Sequence, residues 1–199
     1  MTNLKKKRCT FYDTPGIEKD LYNYPFLRLL FSGNLKSEFK AKEFNDFHPL
    51  THNKVILKEN SIYDMISILI MFVRADQVNN PNVWSSFLPF TKTVSSINSH
   101  IPNMVVITHL SSIIPEINEN PTLLAEDNRV QVIRSIASEH SNLNPGFIHF
   151  ALDYFDKPTV DLHVNYSIFK ILDKIKSLTS SYLEHITIED GDTDSDSDF

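Results

Sequence analysis

The chain has only four glycines in 199 residues: Gly16, Gly33, Gly146 and Gly191. A phosphate loop of the G-x-x-x-x-G-K-[ST] type needs two glycines five apart, and a G-x-G-x-x-G turn needs three close together. No glycines here have either spacing, so this chain cannot build either phosphate-binding turn by itself. Cysteine is equally scarce. Cys9 stands alone, which rules out an internal disulfide and suits a reducing compartment. Long apolar runs are missing too. The longest, Met65 to Val73, is nine residues broken by Ser67, where a bilayer-spanning helix takes about 20. Met1 to Arg8 is polar and basic with no apolar core behind it, unlike a secretory signal. The expectation is a cytoplasmic chain with no membrane span.

Positive charge is not in surplus. The chain carries 19 Lys+Arg against 25 Asp+Glu, a formal charge of -6. Glu189 to Phe199 holds six acids and no base, which leaves the body with 19 of each sign. The one basic cluster, Lys5 to Arg8, reads as a solvated flank over residues 1–8 before it reads as a nuclear-import signal or a contact for anionic surfaces. A single cluster on a neutral body argues against nucleic acid as a partner. The acidic segment, residues 186–199, is too polar to bury a core and reads as a disordered tail. Within it Thr193 and Ser195 each have Asp three residues on, the pattern that an acidophilic kinase would modify.

What is present is enough for one domain. At 41% hydrophobic and 11% aromatic the chain can bury a core. Cys9 to Tyr12 reads as a short strand entering the turn Asp13-Thr14-Pro15-Gly16. Pro25 to Phe31 reads as a helix with Gly33 as its stop. Residues 34–61 read as a partly irregular excursion. Met65 to Val73 is apolar without alternation, the look of a strand covered on both faces. Asn82 to Ser99 is helical, with Pro89 kinking it or restarting it. Met104 to Thr108 is a second continuous strand, Thr122 to His140 a helix, and Phe147 to Leu152 a third buried strand. Asn165 to Leu183 has Ile168, Ile171, Leu172, Ile175, Leu178 and Tyr182 at helical spacing. Strand and helix alternate throughout, which argues for an α/β fold with a mostly parallel sheet over residues 9–185. Ligands of such sheets bind where loops leave the carboxyl ends of strands.

The strand ends carry the candidate chemistry. An Asp after a strand, as Asp13 is, can hold Mg²⁺ through a water, and the backbone N–H of Gly16 can meet a terminal phosphate. That is the D-x-x-G arrangement of GTPases; the competing reading is a plain β-turn. At the next site a GTPase has [NT]-K-x-D, whose Asp binds guanine. This chain has Thr108-His109-Leu110-Ser111. Thr108 fits, His109 replaces the Lys, and Ser111 cannot make the charged bidentate contact, so guanine selectivity is lost or weakened. His109 as a general base competes with a degenerate position that no nucleotide uses. Trp84 with Phe87 reads as helix core before it reads as a docking patch. His48, His52 and Asp46 are a poor metal set, because Pro49 lies between the two histidines.

On FYDTPGIEKD (Phe11 to Asp20), Leu27 to Gly33, MISILIMFV with Arg74-Ala75-Asp76, MVVITHL, Arg129-Val130 and the last helix ending at Leu183-Glu184, residues 9–185 resemble the C-terminal part of the GTPase domain in the interferon-induced protein 44 family. The resemblance implies an incomplete Ras-like P-loop NTPase fold, lacking the P-loop strand and helix. It implies Mg²⁺ and γ-phosphate contact at Asp13 and Gly16, and only position at Thr108, His109 and Ser111. In a Ras-like sheet strand one lies between the D-x-x-G strand and the next. Its removal opens a gap of about 9.6 Å, twice the strand spacing, which must close, be filled by a partner, or belong to a longer product. The expectation is therefore a non-catalytic interaction protein with no cofactor by itself. Its partner would be a full-length relative or a second copy that completes the sheet. The alternative is the distal half of an active GTP-binding protein, with GTP and Mg²⁺ held once a P-loop is supplied. A third reading is an unrelated α/β interaction module.

Overall fold

The computed structural model describes residues 24–34, 65–152 and 162–191. Cys9 to Tyr12, Asp13, Gly16, the His48/His52 pair, Thr193 and Ser195 lie outside the described residues.

Among the described residues the α-helices and strands follow in this order: α1 Tyr24–Phe31, β1 Leu69–Arg74, α2 Pro81–Ile97, β2 Asn103–Thr108, α3 Leu123–Glu126, α4 Asn128–Ser141, β3 Ile148–Phe150 and α5 Leu162–Gly191. The strands form a parallel sheet in the order β1-β2-β3. The expected α/β architecture is present: a small parallel sheet flanked by helices, compatible with part of a Rossmann-like fold.

Each face of the sheet has its own cover. Leu69, Met71 and Val73 of β1, Val105 and Ile107 of β2, and Ile148 and Phe150 of β3 pack with Trp84 and Phe87 of α2 and Val130, Ile133 and Ala137 of α4. Met104 and Val106 point the other way, onto Ile171 and Ile175 of α5. The period of two sends alternate residues to opposite faces, so β2, covered on both, reads as an unbroken apolar run. A third cluster closes the amino end of the sheet, where Leu27 and Phe31 of α1, Phe90 and Val94 of α2, Ile101 and Tyr182 of α5 meet.

Local chemistry explains the element ends. Asn80 caps α2 by accepting from the Asn82 N–H at 3.1 Å, with Pro81 in the first turn. Trp84 is core: its indole N–H donates to the Val78 carbonyl at 2.7 Å. α2 continues through Pro89 as one helix. The segment 122–140 is not one helix but two. Asp127 leaves helical geometry and accepts from the Arg129 N–H at 2.7 Å, capping α4 and ending α3. α5 runs past the expected end, to Gly191.

One expectation about β1 is corrected. It is covered on both faces only in part: Ile70 packs with Met104, Val106, Ile171 and Ile175 on the α5 side, but Phe72 on that side is 67% exposed. Phe72 pairs in register with Val106 on the α5 side, yet the buried stripe of α5 covers Val106 and leaves Phe72 open. The stripe on α5 is likewise narrower than its sequence pattern. Ile168 and Leu172 are exposed, while Ile171 and Ile175 are buried.

Candidate functional site

The carboxyl ends of β1 and β2 bring together Arg74, Asp76, Thr108 and His109. Arg74 and Thr108 are register partners at the strand ends. Arg74 grips Asp76 with two bonds, Nε to Oδ1 at 3.0 Å and Nη2 to Oδ2 at 2.9 Å. That hydrogen bonding holds the Asp76 carboxyl below its ordinary range, and the nearby His109 ring adds to the effect when charged. The pair spans the start of the turn at Ala75–Gln77 and leaves the Arg74 fork matched by a carboxylate of its own chain.

His109 follows the last residue of β2 in left-handed geometry, with φ 54° and ψ 37°. A non-glycine residue there is uncommon. The conformation turns the chain sharply into the 3-10 turn Leu110–Ser112, and the Ser112 hydroxyl donates to the His109 carbonyl at 2.7 Å. Nδ1 of His109 sits 3.1 Å from the Thr108 hydroxyl, within reach for a proton shared between the two. Leu110 is fully buried and anchors the turn. Ser111 lies within that turn, half-buried. Thr108, His109 and Ser111 thus share one strand end, and Asp13 and Gly16, which would complete the expected site, lie outside the described residues.

The described residues at this end of the sheet offer hydroxyls, an imidazole and a paired Arg–Asp. Among the described residues no group of three or more His, Cys, Asp or Glu could hold a metal ion. His100 and His185 meet at 3.0 Å between ring nitrogens, but they lie with Tyr182 and Ile101 toward the amino end of the sheet. Among the described residues no helix is long and apolar enough to cross a membrane.

Two features escaped the sequence reading. The Arg74–Asp76 fork could have been noticed as opposite charges two residues apart after a strand. The second feature is an apolar step beside β1. Lys174 of α5 stands over the Phe147 ring at 5.0 Å, so that flank of α5 faces β3. At 3.6 residues per turn Leu172 lies about 160° around the helix from Lys174. The exposed Ile168 and Leu172 therefore face the β1 side, where Phe72 is also open. Three large apolar side chains line the step between sheet edge and helix, a surface that soluble proteins usually cover. Comparison of the chain with family models, with curated proteins and with solved structures finds no match.

Proposed function

We propose that the chain is a GTPase-derived interaction protein that does not hydrolyse GTP, related to the interferon-induced protein 44 type of G domain. In this reading it binds no nucleotide alone, and a partner chain supplies the strand and helix that a complete Ras-like domain would have next to β1. The observation that carries it is the apolar step of Phe72, Ile168 and Leu172 beside the outer edge of β1. A strand added there would have its own covering helix against Ile168 and Leu172, so one strand-helix unit would bury all three. Among the described residues no strand pairs with that edge. The departures at His109 and Ser111, and the lack of any G-x-x-x-x-G-K-[ST] in the chain, support the absence of hydrolysis.

Calorimetric titration with GTP and Mg²⁺ tests the nucleotide half: no binding heat is expected, and micromolar affinity overturns it. Light scattering with the G domain of a full-length relative, and with the chain alone, tests the partner half. A defined complex that persists at 500 mM salt and is lost in Phe72→Ser/Leu172→Ser is expected. A chain that stays monomeric with either partner overturns it.

A further inference from the structure

The opposite edge of the sheet has a different character. β3 is the last strand of the described sheet, and two cations straddle it. Arg134 of α4 lies over the Phe150 ring at 5.0 Å on one face, and Lys174 of α5 lies over the Phe147 ring at 5.0 Å on the other. Lys170, one turn earlier on α5, is exposed and lies over Tyr166 at 5.3 Å. None of the three has a carboxylate within ion-pair reach among the described residues, where the cations that do are Arg74 and Arg129. Cations on aromatic faces keep their charge available to a further anion. Between Arg134 and Lys174 is His149, whose Nε2 is buried without a hydrogen-bond partner.

We propose that this basic edge docks the acidic tail of a second copy of the chain, laid along β3 as an extended segment. Two features choose this occupant. The tail reads Asp192, Asp194, Asp196 and Asp198, with Thr193, Ser195 and Ser197 between them. In an extended strand that alternation puts every carboxylate on one face, about 6.7 Å apart. Lys170 and Lys174 are four apart on a helix, with roots about 6 Å from one another, so a row of Asp on the α5 face can meet both. The hydroxyl row then faces Arg134. The second feature is direction. Seventeen residues of α5 separate Lys174 from Gly191, about 26 Å of helix, so a tail would have to double back over its own helix to reach its own edge. A neighbour's tail has no such constraint. Edge strands donate and accept backbone hydrogen bonds to added segments, and flanking charge selects which segment.

The competing role for these cations is to guard β3 against association. Light scattering and sedimentation of the full chain at 50 mM and 500 mM salt separate the two. Self-association at low salt that weakens at high salt is expected. Neutralising the tail, with Asp192, Asp194, Asp196 and Asp198 each changed to Asn, should weaken it about tenfold, as should Arg134→Gln/Lys174→Gln. The tail variant leaves the folded body untouched, so it reads out even if the edge variant folds poorly. Mixing the two variants should restore association, since one keeps the edge and the other keeps the tail. A chain that stays monomeric at low salt, or variants that associate as the parent does, overturns the proposal. The step beside β1 is not involved, so Phe72→Ser should leave this association unchanged.

Discussion

Asn98 ties the end of α2 to the last third of α5: its side-chain N–H donates to the Tyr182 hydroxyl at 2.8 Å, while its side-chain Oδ1 accepts from the His100 backbone N–H at 3.0 Å. Tyr182 is buried among Leu27, Phe31, Phe90 and Val94, so its hydroxyl has little water to fall back on. Asn98→Ala is expected to cost about 1–3 kcal/mol, the penalty for leaving a buried hydroxyl without this partner. Urea unfolding followed at the single Trp84 measures it.

Tyr182 also sets an alkaline limit. Burial pushes its phenol above the ordinary value, and the Asn98 bond pulls part of the way back. A raised folded pKa means that the contribution to stability is intact below about pH 10 and fades as pH climbs through the folded value. Thermal melts from pH 8 to 11 should fall at the upper end. Tyr182→Phe should flatten that fall, and an unchanged slope would remove Tyr182 as the cause.

The end of α1 rests on one glycine. Gly33 has φ 70°, its N–H bonds to the Leu30 carbonyl at 3.1 Å, and the Asn34 N–H reaches back to Leu29 at 2.9 Å. This is the double-bonded left-handed helix stop, which exposes a side chain to steric clash. Gly33→Ala should destabilise by about 1–2 kcal/mol. Gly33→Asn should cost less, because Asn tolerates this region better. The two midpoints compared in one denaturant series decide it.

His109 holds the same conformation without glycine's freedom. If it serves no ligand, relieving the strain should help: His109→Gly is expected to stabilise the chain by up to about 1 kcal/mol. A melting temperature that drops instead would point to interactions of the ring, the Thr108 contact among them, outweighing the strain.

Much of this was legible in the sequence, and the reasons differ by element. β2 stood out because a strand covered on both faces needs every position apolar, and Met104 to Ile107 supply that. Gly33 stood out because a glycine after an amphipathic turn has few other uses. The split at Asp127 was hidden, since apolar spacing runs through it and only the capping bond breaks the helix. Phe72, Ile168 and Leu172 were misjudged for a related reason. Hydropathy reports that a residue can be buried, and says nothing of whether a neighbour arrives to bury it. The site was legible only as strand ends; the left-handed turn at His109 and the Arg74–Asp76 fork are backbone and side-chain geometry that spacing does not encode.

His149 gives the acid side of the same argument. It sits on β3 between Arg134 and Lys174, and burial, with the two cations adding, holds its pKa below the ordinary histidine value. A depressed folded pKa means that the unfolded chain takes up a proton first. The folded state is therefore favoured above about pH 6.5 and loses ground as pH falls below it, through the window between the unfolded and folded values. Melting temperatures from pH 7.5 to 5 should fall, and His149→Gln should blunt the fall while keeping a polar side chain of similar size. Binding of an acidic segment at this edge would oppose Arg134 and Lys174 and raise the His149 pKa. That upward shift narrows the window below about pH 6.5, so the acid fall in stability should shrink when the chain is concentrated at low salt, and return when salt is added. Proton NMR of the His149 ring at two protein concentrations reads that shift directly, and a pKa that ignores concentration counts against an acidic partner at β3.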